Sequence, residues 1–258
     1  MKVILATSLS LFLYSASISF YILGLSDHSV PMNRQLFAAA SALLATTVPS
    51  SAALSTYDRV TTDCVASSIA KPTVFGAEVI SINATVYDSY EGIPENNVCY
   101  VTVTITHPGT GDSVNNFIAL PLTGWNGVFQ GIGGGGYAAG LLANMANQTI
   151  LGYSTGATDA GHITTANSTQ DASSWALIST GNVNQYLLLD FARRSLYDMT
   201  VIGKAVSESF YDSAVKRSYW NGCSTSGRQG LVMAQYYPDD YDGILADAPA
   251  IQWNDFTL

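Results

Sequence analysis

Basic residues are scarce in this sequence. Lys and Arg together number 10 of 258 residues, against 19 Asp and Glu, and the formal net charge is −9. No cluster of basic residues occurs, so we predict no nucleic-acid partner, because proteins bind phosphate backbones mainly through clustered Lys and Arg. The acidic balance likewise gives no attraction to anionic lipids. Charged residues make up only 11% of the chain, and the abundance of Ser, Thr, Asn and Gly is common in secreted proteins.

Cysteine is also rare, and its odd number asks for an explanation in an oxidising compartment. Of the three cysteines, Cys64 and Cys99 flank strand-like sequence and are predicted to pair. Cys223 is then either a buried free thiol or the partner of a further cysteine. Three Asn-x-Ser/Thr glycosylation acceptors fit the secretory compartment: Asn83, Asn147 and Asn167.

Long apolar segments occur in tandem at the N-terminus. Val3–Leu25 carries no charge and is long enough to span a bilayer. A second segment starts at Met32, with Arg34 as its basic region, an apolar core, and small residues before position 53, which together are typical of a signal peptide. We predict that 1–53 is a leader, that translation starts at Met32, and that 32–53 is the cleaved signal. A signal anchor at Val3–Leu25 is the alternative.

The rest of the chain predicts an α/β protein. Alternating residues from 77 to 106, rich in Val, Ile, Thr and Tyr, indicate antiparallel strands. Further strands are predicted at 117–122 and 150–156. Apolar residues at three- and four-residue spacing predict a helix from near Asn184 to Phe210, with the charged residues 190, 193, 194 and 198 on its other faces. A strand at 217–221, a helix at 227–236 and a strand at 241–246 form a βαβ unit, which indicates a largely parallel sheet.

The candidate active site lies at the start of this βαβ unit. Residues 219–230 combine a short strand, a serine turn and a helix opening, which is the context of a nucleophile elbow. Ser224 is the candidate nucleophile. The N–H of Thr225 is a candidate oxyanion donor, because a helix N-terminus favours negative charge. The four glycines at 133–136 allow close backbone approach, and the second donor is placed in this run, at Gly134 or Gly135.

Alternatives remain for each of these features. Ser226 stands where a G-x-S-x-G motif has glycine, and it is the rival nucleophile, although no glycine precedes it at the required position. The glycine run taken alone is more often a flexible loop. It does not continue as a phosphate loop.

Histidine is the missing catalytic element. The three histidines are His28 in the leader, His107 in a His-Pro-Gly turn and His162 near a candidate active-site loop, and none follows Ser224. Because the base follows the nucleophile in α/β-hydrolases, His162 is expected to be a structural residue. No group of His, Cys and carboxylates has the spacing of metal ligands, so no metal site is predicted in this chain.

Several motifs together resemble the tannase and feruloyl esterase family, from about Cys64 to the end. They are 222–231 around the serine, 241–250, 124–127 before the glycine run, 152–155 with 158–162, and 190–192 with 199–204. The resemblance implies an α/β-hydrolase fold with a Ser-Asp-His triad, and a disulfide between Cys223 and a cysteine beside the catalytic histidine. Departures from the family are Ser226 in place of glycine, expected to crowd the turn, and Asp247 in place of a small residue, expected to bury a charge.

The resemblance further implies a lid domain after the nucleophile, often with calcium. We therefore expect residues 54–258 to be the N-terminal part of an α/β-hydrolase domain, truncated after the elbow, with the lid, triad aspartate and histidine absent. The expected function is a secreted carboxylic ester hydrolase acting on small or polysaccharide-linked aromatic esters of feruloyl or galloyl type. A catalytically inactive secreted glycoprotein, or a membrane-anchored binding module, is the alternative.

Overall fold

A mixed β-sheet carries the candidate site. The structure is a computed structural model that describes residues 2–6, 63–94, 96–162 and 170–253, all within one compact unit. The strands of these residues are β1 (Lys2–Ala6), β2 (Glu78–Tyr87), β3 (Val98–Thr106), β4 (Val114–Pro121), β5 (Val128–Ile132), β6 (Ser154–Thr158), β7 (Leu177–Ser179), β8 (Asn182–Val183), β9 (Arg217–Cys223) and β10 (Gly243–Asp247). The helices are α1 (Ala143–Thr149), α2 (Ser173–Ala176), α3 (Gln185–Leu189), α4 (Ser195–Tyr211) and α5 (Thr225–Tyr236), and a π-helical turn at Asp190–Arg194 joins α3 to α4.

Eight of the strands form one sheet in the order β1-β10-β9-β5-β6-β4-β3-β2, and β7 and β8 form a separate hairpin. The neighbours from β1 to β6 in this order are parallel, and β4, β3 and β2 continue the sheet antiparallel. The fold is a partial α/β-hydrolase fold, and the predicted antiparallel N-terminal part is confirmed. The parallel strands bring the segments that follow β5 and β9 to the same edge of the sheet.

The predicted elements are present with shifted bounds. The predicted strand at 150–156 begins at Ser154, because residues after α1 form a turn in which the Gly152 N–H bonds to the Thr149 carbonyl. The helix predicted at 227 begins at Thr225, directly after the serine. The helix predicted near Asn184 is confirmed, and the Asn184 side chain accepts a hydrogen bond from the Leu187 N–H. Such a side-chain cap satisfies a backbone donor that has no intrahelical partner.

Apolar residues of α4 and α5 bury one face of the sheet. Ile202, Val206 and Phe210 of α4 share a core cluster with residues of β3 and β4. Met199 of α4 and Met233 of α5 share a second cluster with residues of β5, β9 and β10. Because hydrophobic burial is the dominant favourable term in folding, these clusters fix the two helices, and hence the start of α5, against the sheet.

The predicted disulfide between Cys64 and Cys99 is present. Their Cα atoms lie 5.5 Å apart, and the bond closes a loop of 35 residues. Cys99 is fully buried in β3, so the bond attaches the segment before β2 to the centre of the antiparallel part. A cross-link of this span restricts the unfolded chain and stabilises the fold by about 2–4 kcal/mol.

Predictions about the secretory route concern both described and undescribed residues. Lys2–Ala6 of the predicted leader forms β1 and pairs parallel to β10, while the signal segment at 32–53 lies outside the described residues. No helix in the part of the chain that the structure describes is long and apolar enough to cross a membrane. Asn83 on β2 and Asn147 on α1 are exposed, and Asn167 lies outside the described residues. The leader and the three glycosylation sites remain predictions.

A buried charge network links the turn after β3 to the π-helical turn. His107 is buried, with Nδ1 2.5 Å from Asp112 and Nε2 3.1 Å from Asp198. Because both ring nitrogens face carboxylates, this site favours the doubly protonated, positively charged imidazole. Burial alone lowers the pKa of His107, but hydrogen bonds to Asp198 and Asp112 raise it above its usual value. Arg194 supplies a second cation, with Nε 2.5 Å from Asp190 and Nη2 3.1 Å from Asp112.

This network explains the burial of two helix charges. Asp190 and Asp198, predicted on other faces of the helix than its apolar residues, are almost completely buried, because Arg194 and His107 pair with them. Burial raises the pKa of Asp190 to about 6, although Arg194 acts to lower it. Ligand atoms of His107, Asp112 and Asp190 lie within 4.8 Å of one another. The group does not fit calcium, which prefers six to eight oxygen ligands, because Arg194 already pairs with two of its carboxylates.

We expect this network to stabilise the fold more at acidic than at alkaline pH. Since the folded-state pKa of His107 is raised, its contribution is fully present below the unfolded value of 6.5 and is lost as the pH rises through the folded value. The pKa of Asp190 is also raised in the fold, so its contribution to the free energy of unfolding likewise decreases as the pH rises. Arg194 stays charged throughout, while Asp112 and Asp198 are the carboxylates that His107 faces. In urea unfolding, the stability lost on His107→Gln should therefore be larger at about pH 5.5 than at about pH 8.5.

His162→Gln provides the matched control. Burial lowers the pKa of His162, so its neutral form is favoured in the fold and its contribution is lost as the pH falls. The stability difference for His162→Gln should accordingly change with pH in the opposite direction. Parallel pH profiles for the two variants would contradict the charge assignment of His107.

Candidate active site

The serine turn between β9 and α5 has a strained backbone. β9 ends at Cys223, α5 begins at Thr225, and Ser224 between them has φ 60° and ψ −121°. Few residues other than glycine adopt positive φ, and such strain persists only where the surrounding structure imposes it. An exposed serine on a strained turn from strand to helix is the geometry of a nucleophile elbow.

Three backbone hydrogen bonds hold Ser224 in this conformation. Its N–H donates to the Asp247 carbonyl at 3.2 Å, at the end of the neighbouring strand β10. Its carbonyl accepts from the N–H of Arg228 at 3.0 Å and from the N–H of Ala250 at 2.9 Å. One bond lies within α5 and two join the turn to β10 and to the segment after it. The parallel pairing of β9 with β10 therefore imposes the strained φ of Ser224.

Ser226 is accommodated by glycines on both sides. A Cβ added to Gly222 or to Gly133 would overlap the Ser226 hydroxyl, so both positions require glycine. The Ser226 side chain is buried, and its Oγ has no hydrogen-bond partner among the described residues. The rival nucleophile is therefore enclosed, whereas Ser224 is exposed.

The glycine run packs against the first turns of α5. The N–H of Gly134 donates to Gln229 Oε1 at 2.9 Å, and Gln229 Nε2 donates to the Ala139 carbonyl at 2.9 Å. The Ser226 N–H donates to the Gly134 carbonyl at 3.0 Å, and the Thr225 hydroxyl donates to the Gly136 carbonyl at 2.7 Å. The run is thus a fixed wall beside the serine turn and not a free loop.

These contacts distinguish between Gly134 and Gly135, the two glycines proposed as oxyanion donors. Because the N–H of Gly134 is bonded to Gln229, it is not available to a substrate. Within the described ranges, the N–H groups of Gly135 and Thr225 have no acceptor. Backbone donors without partners next to a nucleophile are the feature that an oxyanion hole requires. The sequence analysis assigned no role to Gln229. The only feature of the sequence that pointed to this residue was its position within the motif 222–231 around Ser224.

Cys223 and Asp247 lie side by side at the ends of β9 and β10. The thiol of Cys223 is exposed and free among the described residues, so the interpretation as a buried thiol is wrong. Local desolvation and, to a smaller degree, the neighbouring Asp247 raise the pKa of this thiol. One carboxylate oxygen of Asp247 is buried without a partner in the described part of the chain. The disulfide of Cys223 implied by the family resemblance remains a prediction.

No described histidine contacts Ser224. His162 is buried, stacks on Trp175 with ring centroids 4.1 Å apart, and has Nε2 3.0 Å from the Tyr137 carbonyl. His107 belongs to the charge network with Asp112 and Asp198. The described residues thus combine an exposed serine on a strained turn with nearby backbone N–H groups, and no described histidine lies in contact with that serine.

The sequence of this chain is similar to those of known proteins. The family described as tannase and feruloyl esterase matches residues 99–258. A "Probable feruloyl esterase" of Arthroderma benhamiae is 45% identical over 205 residues, which cover 75% of this chain and 37% of that protein. The tannase of Aspergillus oryzae is 36% identical over 160 residues, covering 60% of this chain and 26% of that protein.

Solved structures give the same result. Tannin acyl hydrolase from Aspergillus niger matches with a TM-score of 0.63 at 27% identity, over 74% of this chain and 36% of that one. The crystal structure of feruloyl esterase B from Aspergillus oryzae matches with a TM-score of 0.55 at 28% identity, over 69% of this chain and 36% of that one. The chain therefore spans between about a quarter and two-fifths of the length of these relatives.

The close approach of Gly222 to Ser226 yields a stability prediction. Gly222→Ala places a methyl group into the Ser226 side chain and backbone, and it should lower the free energy of unfolding by about 1–3 kcal/mol or more. Gly135→Ala is the matched control, because its Cβ would meet only Leu141 Cδ1 at 3.4 Å. Denaturant unfolding of both variants measures the difference. Equal stability of the two variants would show that the elbow is not packed as described.

Proposed function

Because this chain belongs to the tannase and feruloyl esterase family, we propose that it carries the nucleophile and the oxyanion donors of a serine carboxylic ester hydrolase. The observation that carries the proposal is Ser224, which combines an exposed hydroxyl with φ 60° and lies directly before the unpaired N–H of Thr225. Ser226 is buried, and the Gly134 N–H is already bonded to Gln229. We therefore assign the nucleophile to Ser224 and the oxyanion donors to the N–H groups of Thr225 and Gly135.

The proposed reaction follows the chemistry of serine acyl transfer. Ser224 Oγ attacks the ester carbonyl carbon while its proton passes to a base, and the carbonyl oxygen becomes an oxyanion. The N–H groups of Thr225 and Gly135 donate to this oxygen, which is most negative in the tetrahedral state and therefore gains more from them than the ground state does. Collapse breaks the bond to the alkoxy oxygen, which takes the proton from the base and leaves as the alcohol. Water then attacks the acyl group on Ser224, which releases the acid and restores the Ser224 hydroxyl.

The proposed substrates are aromatic esters. The relatives are named feruloyl esterase, tannase and tannin acyl hydrolase, which supports feruloyl or galloyl esters, either small or linked to polysaccharide. Secretion is proposed with this function. It is supported by the disulfide between Cys64 and Cys99, which persists in oxidising compartments, and by the predicted signal peptide.

An inactive chain is the alternative, and one observation favours it. Neither His107 nor His162 contacts Ser224, and no histidine follows Ser224 in the sequence. We therefore expect the 258-residue polypeptide alone to hydrolyse phenyl acetate slowly or not at all. Robust turnover that disappears in Ser224→Ala would contradict this expectation and would show that this chain supplies its own base.

Labelling with a fluorophosphonate probe tests the nucleophile independently of turnover. Oxyanion donors and binding retain part of the rate enhancement of serine hydrolases, about 10³–10⁴-fold over water, when a triad member is missing. Because the described residues supply no base, labelling of Ser224 in the folded polypeptide should be slow and visible only on long incubation, and it should be absent after urea unfolding and in Ser224→Ala. Ser226→Ala is the matched control and should label like the wild type. An adduct on Ser226 or Cys223 would contradict the assignment.

A further inference from the structure

Arg228 connects the serine turn to the π-helical turn. It belongs to the first turn of α5, and its backbone N–H donates to the Ser224 carbonyl at 3.0 Å. Its guanidinium donates to two carbonyls of the π-helical turn, that of Ala192 at 3.1 Å and that of Phe191 at 3.4 Å. One residue therefore binds both segments, the first through its main chain and the second through its side chain.

This arginine has no carboxylate partner among the described residues. Burial lowers the pKa of Arg228 to about 10, and no charged group of the described chain counteracts this shift. The guanidinium still carries its charge at neutral pH, and its contacts are the two carbonyls and the rings of Phe191 and Trp253. Because a partly buried cation is unfavourable unless it is well bound, and because the planar fork of arginine suits two acceptors, these contacts indicate a role in fixing the backbone.

The ring of Trp253 provides a second connection between Arg228 and the serine turn. The guanidinium lies 5.6 Å from the centre of this ring, within the range of a cation–π contact. Trp253 Nε1 donates to the Ala250 carbonyl at 2.6 Å, and the Ala250 N–H donates to the Ser224 carbonyl at 2.9 Å. Arg228 thus supplies one of the three hydrogen bonds that hold Ser224, and it packs against the residue that fixes another.

The π-helical turn is itself fixed by the buried charge network. Asp190 and Arg194, the first and last residues of the turn, are paired with each other, and Arg194 also pairs with Asp112 beside His107. Single π-helical turns are rare and occur frequently at functional sites. Because both ends of this turn are held, its carbonyls offer Arg228 acceptors at fixed positions.

We propose that Arg228 is a positioning residue for Ser224, whose guanidinium fastens the serine turn to the π-helical turn and through it to the buried charge network. The chemical consequence of this role rests on the proposed function. Ser224 has a strained positive φ, and such strain persists only where the surrounding contacts impose it. Without the guanidinium the turn is free to relax toward an ordinary helix start, which moves the Ser224 hydroxyl and the Thr225 N–H from their present positions.

Amide hydrogen exchange of the 258-residue polypeptide, followed by NMR, tests this role without any reaction at Ser224. Arg228→Met keeps a long unbranched side chain and removes the fork. The N–H groups of Ser224 and Ala250 report the two bonds that join the serine turn to β10 and to the segment after it. Both should exchange at least about tenfold faster in the variant, because hydrogen bonds to a charged donor are among the stronger ones and local opening sets the exchange rate. The amide of Val206, buried in α4, should change by less than about twofold.

Two further variants separate positioning from charge and from general stability. Arg217→Met is the matched control, because Arg217 is an exposed arginine at the opposite end of β9, paired with Asp242, and its loss should leave both exchange rates unchanged. Arg228→Lys keeps the charge without the fork and should restore only part of the protection. It remains decisive if Arg228→Met fails to fold. Unchanged exchange at Ser224 and Ala250 in Arg228→Met, full protection in Arg228→Lys, or an equal increase at Val206 overturns the proposal.

A double-mutant cycle tests the connection to the charge network. Asp190→Asn removes the carboxylate that Arg194 binds within the π-helical turn, so the Ser224 and Ala250 amides should exchange faster in this variant as well. Added to Arg228→Met, it should increase these rates by less than about twofold, because the connection is already broken. Effects of the two substitutions that multiply independently would overturn the coupling through Arg228.

The outcomes separate this proposal from the proposed function. Labelling of Ser224 by a fluorophosphonate in the wild type, together with unchanged exchange in Arg228→Met, supports the nucleophile and rejects the positioning role. Faster exchange confined to the serine turn in Arg228→Met, without labelling of Ser224 in the wild type, supports the positioning of the turn and rejects the serine chemistry.

Discussion

The strained backbone of Ser224 is the constraint on which the candidate site depends. The strain is maintained by the Ser224 N–H bonded to the Asp247 carbonyl and by the Ala250 N–H bonded to the Ser224 carbonyl. Both bonds exist because β10 pairs parallel to β9 with Asp247 opposite Cys223. A shift of this register would remove the first bond and allow the serine to relax into an ordinary helix start. Packing of Trp220 and Ile244 in one buried cluster opposes such a shift.

A buried amide extends this constraint to a distant part of the sequence. Gln229 is fully buried and binds the backbone of Gly134 in the glycine run, 95 residues earlier, and of Ala139 just after the run, 90 residues earlier. These bonds occupy the Gly134 N–H and leave that of Gly135 without an acceptor in the described part of the chain. One helix thus positions both the strained serine turn and the glycine run beside it.

The parts of this arrangement that follow from local patterns could be predicted from the sequence. Residues 217–236 predict the strand before Ser224 and the helix after it. The spacing of the apolar residues in α4 predicts that long helix. The disulfide followed from the positions of Cys64 and Cys99 beside strand-like sequence.

Contacts between distant segments could not be predicted in this way. His107 meets Asp198 across 91 residues, and nothing local marks either residue as buried. A charged residue is rarely buried unless it is paired, and the pairing of these two residues exists only in the folded chain. The choice between Gly134 and Gly135 likewise depends on where the amide of Gln229 lies, which no spacing in the sequence reveals.

The crystal structure of the polypeptide carrying a phosphonate adduct tests the central claim most directly. We predict that phosphorus is bonded to Ser224 Oγ and that one phosphoryl oxygen accepts hydrogen bonds from the N–H groups of Thr225 and Gly135, at roughly 2.7–3.1 Å. Ser224 should keep its positive φ in the adduct. An adduct on another residue, or one on Ser224 with its oxygen turned away from both N–H groups, would contradict the assignment of this turn as a nucleophile elbow with its oxyanion hole.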